Sequence, residues 1–350
     1  MDNLKNLKDS SFLLDFFKNK QIGETPGSQI RSITVRKQLS HKKFKRHQAG
    51  LLEYSVVTKS GAEKIIYGAF SSKKSFVGIK NKRLFLTKLK EYGFNQGDLR
   101  IPQILGFYPK LNLILREGVT GKTMLQIMLA QQDISKVIEG AGKWVGRLHS
   151  LKYEKGLFTP ITKINKKNFP YYLKTIKKYF PEKTKALKEL LSLVNKISKT
   201  APETTLIHGD YQPQNIIYNQ EDLATTGFDF DASGIGDPLS DLGNFLIQFD
   251  YRAQTMMPEN KIIELKKMFL EAYFQQRGRK FENLNQRVNV YQTKYAIQRA
   301  SFLTGGILIH PEAKIKKTIL GLLEKAEIAA YETETIDLKL YPYPYSAPIL

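Results

Sequence analysis

Between residues 28 and 120 the apolar positions fall in short alternating or continuous runs bounded by turn residues, which is the pattern of strands. SITVRKQL (32–39), LLEYSVVT (51–58) and KIIYGAF (64–70) are three such runs, the last following the turn residues Ser60-Gly61. LGFYPKLNLILRE (105–117) supplies two more strands around Pro109. One stretch has a helical period instead: KNKRLFLTKLKEYGF (80–94) carries Leu84, Phe85, Leu86 and Leu89 as an apolar stripe that stops at Gly93. Beyond GVTGK (118–122), which reads as a connector, the period changes to 3.6. DISKVIEGAGKWVGRLHSL (133–151) aligns Ile134, Val137, Ile138, Ala141, Trp144, Val145 and Leu148, with Asp133 in the place of an N-cap. TKALKELLSLVNKIS (184–198), IIELKKMFLEAYFQQ (262–276), RVNVYQTKYAIQRASFL (287–303) and KIKKTILGLLEKAEIAAY (314–331) predict further helices.

These runs predict a helical extension over residues 1–27, a sheet-rich lobe with one helix over 28–117, and a larger, mainly helical lobe over 118–335. The proline- and tyrosine-rich stretch 336–350 reads as a tail. At 350 residues the chain is long enough for two cores and too short for three ordinary domains. No apolar run approaches the roughly 20 residues of a membrane span, and the N-terminus lacks the features of a secretory signal, so a cytoplasmic protein without a membrane partner is expected. The absence of cysteine excludes disulfides, thiolate metal sites and cysteine nucleophiles. With 55 Lys and Arg against 33 Asp and Glu the net charge is +22. Such a balance suits nucleic acid, a membrane surface or an anionic ligand, but it also arises from solvated lysine-rich helix faces, the reading favoured here. No recognised nucleic-acid-binding motif is present, which disfavours nucleic acid as a partner.

One segment within the helical half breaks the helical period: TLIHGDYQPQNIIYNQEDLATTGFDFDASGIGDPLSDLGNFL (205–246). NIIY and TTGFDF read as two short strands around NQED, a good turn composition, centred near Gln220-Glu221. Such a hairpin would bring Asp210, Asn215 and Asp229 to the same end. Carboxylates and an amide oxygen crowded together are stable when a hard cation joins them, and Mg²⁺ suits such a set because it takes one or two protein carboxylates and fills its other positions with water and phosphate oxygens.

HGDYQPQN (208–215) resembles the catalytic loop HGDxxxxN of the aminoglycoside phosphotransferase and choline kinase family. FDFDASGIGDPLSDLGNF (228–245) resembles the metal-binding Asp motif of that family and the GDPxxDLA that follows it, and the match extends loosely to LHSL (148–151). The resemblance implies an α+β, protein-kinase-like two-lobed fold, with a small antiparallel-sheet N-lobe and a larger, mainly helical C-lobe. It implies a Mg²⁺-dependent phosphotransferase that moves the γ-phosphoryl group of ATP or GTP to a hydroxyl of a small molecule. By the same resemblance Asp210 is the catalytic residue that receives or orients the acceptor's proton, Asn215 and Asp229 ligate Mg²⁺, and His208 and Asp241 support the loop. Asp231 and Asp237 are expected in turn or supporting roles. Glu117 and Val119 resemble the connector whose main chain reads the nucleotide base; a plain strand-to-helix loop is the competing reading.

The resemblance breaks at one place. Kinase-like sites hold the α- and β-phosphates with a Lys on the third strand, paired to a Glu on the next helix. KIIYGAF puts Ala69 where that lysine is expected, and the following helix offers Lys80, Lys82 and Arg83 near its start but no Glu there. Either another cation (Lys64, Lys73, Lys74 or a helix lysine) grips the phosphates, or the chain is a catalytically weak kinase-like module that binds a nucleotide or a partner. The basic stretch 40–50 is either a nonstandard phosphate loop or a solvated hairpin tip. The positive surface further suggests a neutral or anionic acceptor rather than a polycationic aminoglycoside. His149, at a helix end, is read as a capping residue.

Overall fold

A computed structural model describes residues 3–39, 50–70, 76–154, 158, 168–198, 203–278, 284–304 and 312–331. The chain divides into two compact units, one made of residues 1–121 with Thr226–Asp231, the other of residues 122–225 and 232–350. The division falls after Gly121, and the six-residue return of Thr226–Asp231 to the first unit has no signature in the local apolar pattern.

The first unit begins with helices α1 (Asn3–Asn6) and α2 (Ser10–Phe17) and the short pair β1 (Gln21–Ile22) and β2 (Thr25–Pro26). Then come β3 (Ile30–Leu39), β4 (Gly50–Thr58), β5 (Glu63–Phe70), helix α3 (Phe76–Glu91), β6 (Leu99–Arg100), β7 (Ile104–Tyr108) and β8 (Leu113–Glu117). Five of these strands make an antiparallel sheet in the order β3-β4-β5-β8-β7. Alternation decides the two faces. Leu52, Tyr54 and Val56 of β4, Ile66 and Phe70 of β5, and Leu113 and Leu115 of β8 form a core with Leu13 and Phe17 of α2. The N-terminal helices are therefore part of this unit's core, and the buried Tyr54 hydroxyl donates to Leu7 O at 3.0 Å. On the other face the register pairs Tyr67 with Arg116 and Ala69 with Ile114, and α3 packs against β7 and β8.

The second unit is mainly helical. Its elements are β9 (Lys122–Thr123), α4 (Met124–Leu129), α5 (Ser135–Ser150), α6 (Phe169–Lys177), α7 (Thr184–Ser198), β10 (Thr205–Ile207) and β11 (Ile216–Tyr218). After β12 (Thr225–Gly227) come β13 (Gly234–Gly236), α8 (Leu239–Ala253), α9 (Glu259–Arg277), α10 (Leu284–Thr304) and α11 (Glu312–Tyr331). Helix α5 lies very close to α9, because Gly142 and Gly146 carry no side chain: a Cβ there would stand 2.3 Å from Phe269 O and 2.7 Å from Tyr273 O. The buried Asp250 of α8 ties in two more helices, accepting from Lys266 of α9 at 3.2 Å and Lys325 of α11 at 3.0 Å. Burial alone would raise the Asp250 pKa, but the two ammonium groups outweigh it and hold the carboxyl below its ordinary value. Among the described residues, no helix is long and apolar enough to cross a membrane.

Two local expectations need correction. Asp133 does not cap α5; the cap position is Ile134, and Asp133 instead accepts from Ser135 N–H at 3.0 Å and Ser135 Oγ at 2.8 Å in a tight turn. The turn after β11 closes with Asn219 N–H donating to Ala224 O at 2.9 Å. It is therefore centred on Glu221-Asp222, one residue later than NQED suggested, with Leu223 at φ 58°. The stretch 40–49, Lys73, Lys74 and the tail 336–350 lie outside the described residues.

Candidate active site

Strand β10 pairs antiparallel with β13, Leu206 opposite Ile235, and delivers the chain into His208-Gly209-Asp210. The loop needs a left-handed residue at Gly209, where φ is 78° and a Cβ would stand 2.0 Å from Ala232 O. Gly209→Ala is therefore expected to destabilise the fold by about 2 kcal/mol or more, read as a lowered denaturation midpoint. Past the glycine, the half-buried Asp210 carboxylate is held by three amides: Gln212 Nε2 at 2.8 Å and Asn215 Nδ2 at 3.2 Å on Oδ2, and Asn244 Nδ2 at 3.4 Å on Oδ1. Asn215 Nδ2 also donates to Asp210 O at 2.9 Å. With its nitrogen committed to Asp210, the buried Asn215 has its side-chain oxygen left as the atom suited to a hard cation.

Asp241, in the first turn of α8, is wholly buried and fixes this loop. Its Oδ2 accepts from His208 N–H at 2.7 Å and its Oδ1 from Gly209 N–H at 2.8 Å. A third donor comes from His149, whose Nε2–H reaches Asp241 Oδ2 at 3.1 Å while Tyr273 O–H donates to its Nδ1 at 3.0 Å. His149 is thus not a helix cap. It is a buried link from α5 to the loop's anchor, and burial pushes its pKa below the ordinary value despite the Asp241 carboxylate, leaving the ring neutral. His208 is also wholly buried; its Nδ1 accepts from Asp210 N–H at 3.4 Å. Trp144 and Tyr211 stack at 5.6 Å beneath it, and Tyr211 O–H donates to Ala141 O at 2.7 Å. Asp237 takes the turn role: it accepts from Leu239 N–H at 3.0 Å, from Tyr291 O–H at 2.9 Å and from Arg287.

Asp229 belongs to the first unit and sits at φ 68°, a left-handed conformation rare for a side chain with a Cβ. Such strain, of order 1–3 kcal/mol, persists where function requires a fixed direction. Two residues on, the exposed Asp231 accepts an ion pair from the buried Lys82 of α3. Phe85, one turn further along α3, packs on Phe230 at 5.7 Å. Arg116, near the end of β8, lies within electrostatic range of both Asp229 and Asp231; burial lowers its pKa and the two carboxylates draw it back up. At the connector, Glu117 N–H donates to Gln103 O at 2.9 Å and Gly118 N–H to Ile65 O at 3.3 Å. Glu117 thus has its N–H already committed. Val119, two residues on, is half-buried.

Sequence reasoning missed a further cation in the second unit. Lys294 of α10 sits 4.0 Å from the centre of the Tyr295 ring and within electrostatic range of Asp241 and Asp210. Burial is the main cause that takes its pKa down to about 8, against the pull of those two carboxylates. Nothing in the local pattern of α10 sets this lysine apart from the solvated ones. Among the described residues no group of three or more His, Asp or Glu side chains is placed to hold a metal.

The fold has known counterparts. The sequence profile of the phosphotransferase enzyme family matches residues 80–283. Comparison with the curated proteins finds no match. Among solved structures, an amicoumacin kinase is similar with a TM-score of 0.55 at 12% identity, over 94% of this chain and 96% of its own. A choline/ethanolamine kinase family protein from Mesorhizobium loti gives a TM-score of 0.52 at 15% identity, over 85% of this chain and 88% of its own. An ethanolamine kinase from Plasmodium vivax gives 0.55 at 12%, over 86% and 83% respectively. At these identities the likeness establishes the kinase-like α+β fold, and the profile, spanning more than half of the sequence, establishes kinship: this chain belongs to the phosphotransferase enzyme family.

Proposed function

We propose that the protein is a Mg²⁺-dependent small-molecule O-phosphotransferase that moves the γ-phosphoryl group of ATP or GTP onto a hydroxyl. The observation that carries this reading is Asp210: a half-buried carboxylate fixed by three amide donors, on a loop clamped by a buried carboxylate. Solved proteins of this fold held AMP-PNP with Ca²⁺, or GDP, which supports a nucleotide and a divalent cation here.

In the proposed reaction Asp210 orients the acceptor O–H and receives its proton. The acceptor oxygen bonds to the γ-phosphorus as the bond to the β,γ-bridging oxygen breaks, and the nucleoside diphosphate leaves. Asn215 and Asp229 are the residues suited to hold Mg²⁺, which when bound neutralises charge on the β- and γ-phosphate oxygens. His208, Asp241 and His149 keep the loop in place. Glu117 and Val119 are proposed to meet the base through their main chain, with the Glu117 carbonyl rather than its N–H as the contact. Little covalent work is required of the protein, because positioning and electrostatics dominate this chemistry.

The test is mass-spectrometric detection of a phosphorylated product when ATP or GTP, Mg²⁺ and a panel of hydroxyl compounds are incubated with the protein. Product that requires metal is expected. No product from any compound, together with metal-independent stabilisation by nucleotide, would favour a binding module instead.

Lys294 bears on the acceptor. A cation within electrostatic range of Asp210 favours an acceptor with an anionic group and opposes a polycationic aminoglycoside. Because Lys294 loses its proton near pH 8, the acceptor's KM is expected to rise as pH increases through that value. In Lys294→Met the KM should be higher at pH 7 and that rise should vanish. The same variant should have the higher thermal midpoint at pH 7: a lysine whose folded pKa lies below its unfolded one costs stability below that folded pKa, and the cost fades towards pH 10.

A further inference from the structure

We propose that Arg116 and Lys82 together hold the nucleotide's phosphates, in place of the lysine absent at Ala69; this deepens the phosphotransferase reading and rests on it. The sheet register supplies the first argument. Ala69 pairs with Ile114 and Tyr67 with Arg116, so all four side chains leave the same face of the sheet. Arg116 is therefore the diagonal cross-strand neighbour of Ala69, roughly 7–8 Å away between backbones, a gap that the long arginine side chain spans. A small residue at 69 leaves the space above the strand to the guanidinium.

The second argument is the state of that guanidinium. Arg116 has no hydrogen-bond or ion-pair partner among the described residues, although the Asp229 and Asp231 carboxylates are within electrostatic range. A largely desolvated cation without a direct partner is costly to the fold, and an anionic ligand removes that cost. The fork of donors also matches phosphate oxygens better than an ammonium does. The third argument is Lys82, which α3 presents buried against Asp231, itself mostly open to solvent. Phosphate oxygens arriving there meet an ammonium already fixed in place.

Other cations fit less well. Lys64 lies five residues before Ala69 on β5, roughly 16 Å along the strand, and is exposed. Arg83 is engaged over the Phe107 ring at 4.6 Å. Two cations now face two carboxylates where kinase-like sites have a strand lysine and a helix glutamate. The helix contributes the positive charge and the carboxylate comes from the segment of Asp229.

Dissociation constants of AMP-PNP and GMP-PNP, measured calorimetrically with Mg²⁺ and compared with those of adenosine and guanosine, test this. Arg116→Met and Lys82→Met should each weaken triphosphate binding by about ten- to a hundredfold while leaving nucleoside binding unchanged, and Arg116→Lys should recover part of the loss. Arg116→Met removes an unpaired cation, so it is expected to fold at least as stably as the wild type even if Lys82→Met does not. Ala69→Lys should weaken binding by crowding Arg116 with a like charge. Equal triphosphate affinity in wild type and Arg116→Met, or tighter binding in Ala69→Lys, overturns the assignment while the phosphotransferase reading stands. Failure of the wild type to bind either analogue overturns both.

Discussion

Asp210→Asn is expected to lower phosphoryl transfer by about 10²- to 10⁴-fold, the range that a positioned acid or base contributes, while leaving the fold and nucleotide affinity close to wild type. The reason lies in what holds the side chain. Two of its donors, the amides of Gln212 and Asn215, share one oxygen, which an asparagine can keep; of these bonds it gives up only the long one from Asn244 at 3.4 Å on the other oxygen, in a half-buried position. What it loses is the ability to take up a proton from an attacking hydroxyl. Steady-state kinetics with a phosphorylated acceptor, set beside a nucleotide titration, separate the two effects. Equal turnover in the variant and the wild type would remove Asp210 from the chemistry.

Asp241→Asn is expected to behave quite differently and to unfold the loop as well as silence it. Both oxygens of Asp241 are in use, one on Gly209 N–H and one shared by His208 N–H and His149 Nε2–H. An amide offers one acceptor and directs its own N–H groups at the remaining donors, so asparagine should do almost as much harm as alanine. Leaving these buried donors unpaired should cost about 3–5 kcal/mol, seen as a lower urea midpoint together with loss of turnover. A stable, inactive Asp241→Asn protein would contradict the clamp.

The contrast between these residues also shows what could be read from the chain. Asp210, Asn215, His208 and Asp241 stand in two short motifs with fixed spacing, and the strands and helices around them follow from period-two and period-3.6 apolar patterns. His149 was legible only as a polar residue near a helix end, where capping is the ordinary role. Its partners Tyr273 and Asp241 lie on α9 and α8, and only the close approach of α5 to α9 at Gly142 and Gly146 brings α5 to Tyr273. Arg116 carried a faint signal: it is the charged residue near the end of the apolar run LILRE, on the face opposite Leu113 and Leu115. What it meets depends on the return of Thr226–Asp231 to the first unit, a tertiary event that no local pattern encodes. The turn after β11 is legible from its composition to within a residue, because composition marks a turn but not the pair that closes it.

The central claim is that Asn215 and Asp229 are the metal ligands, and Mn²⁺ read by electron paramagnetic resonance in the presence of a non-hydrolysable triphosphate tests it most directly. The account predicts that Asn215→Ala and Asp229→Ala each weaken Mn²⁺ binding and alter its spectrum. Unaltered Mn²⁺ affinity and spectrum in both variants would contradict it.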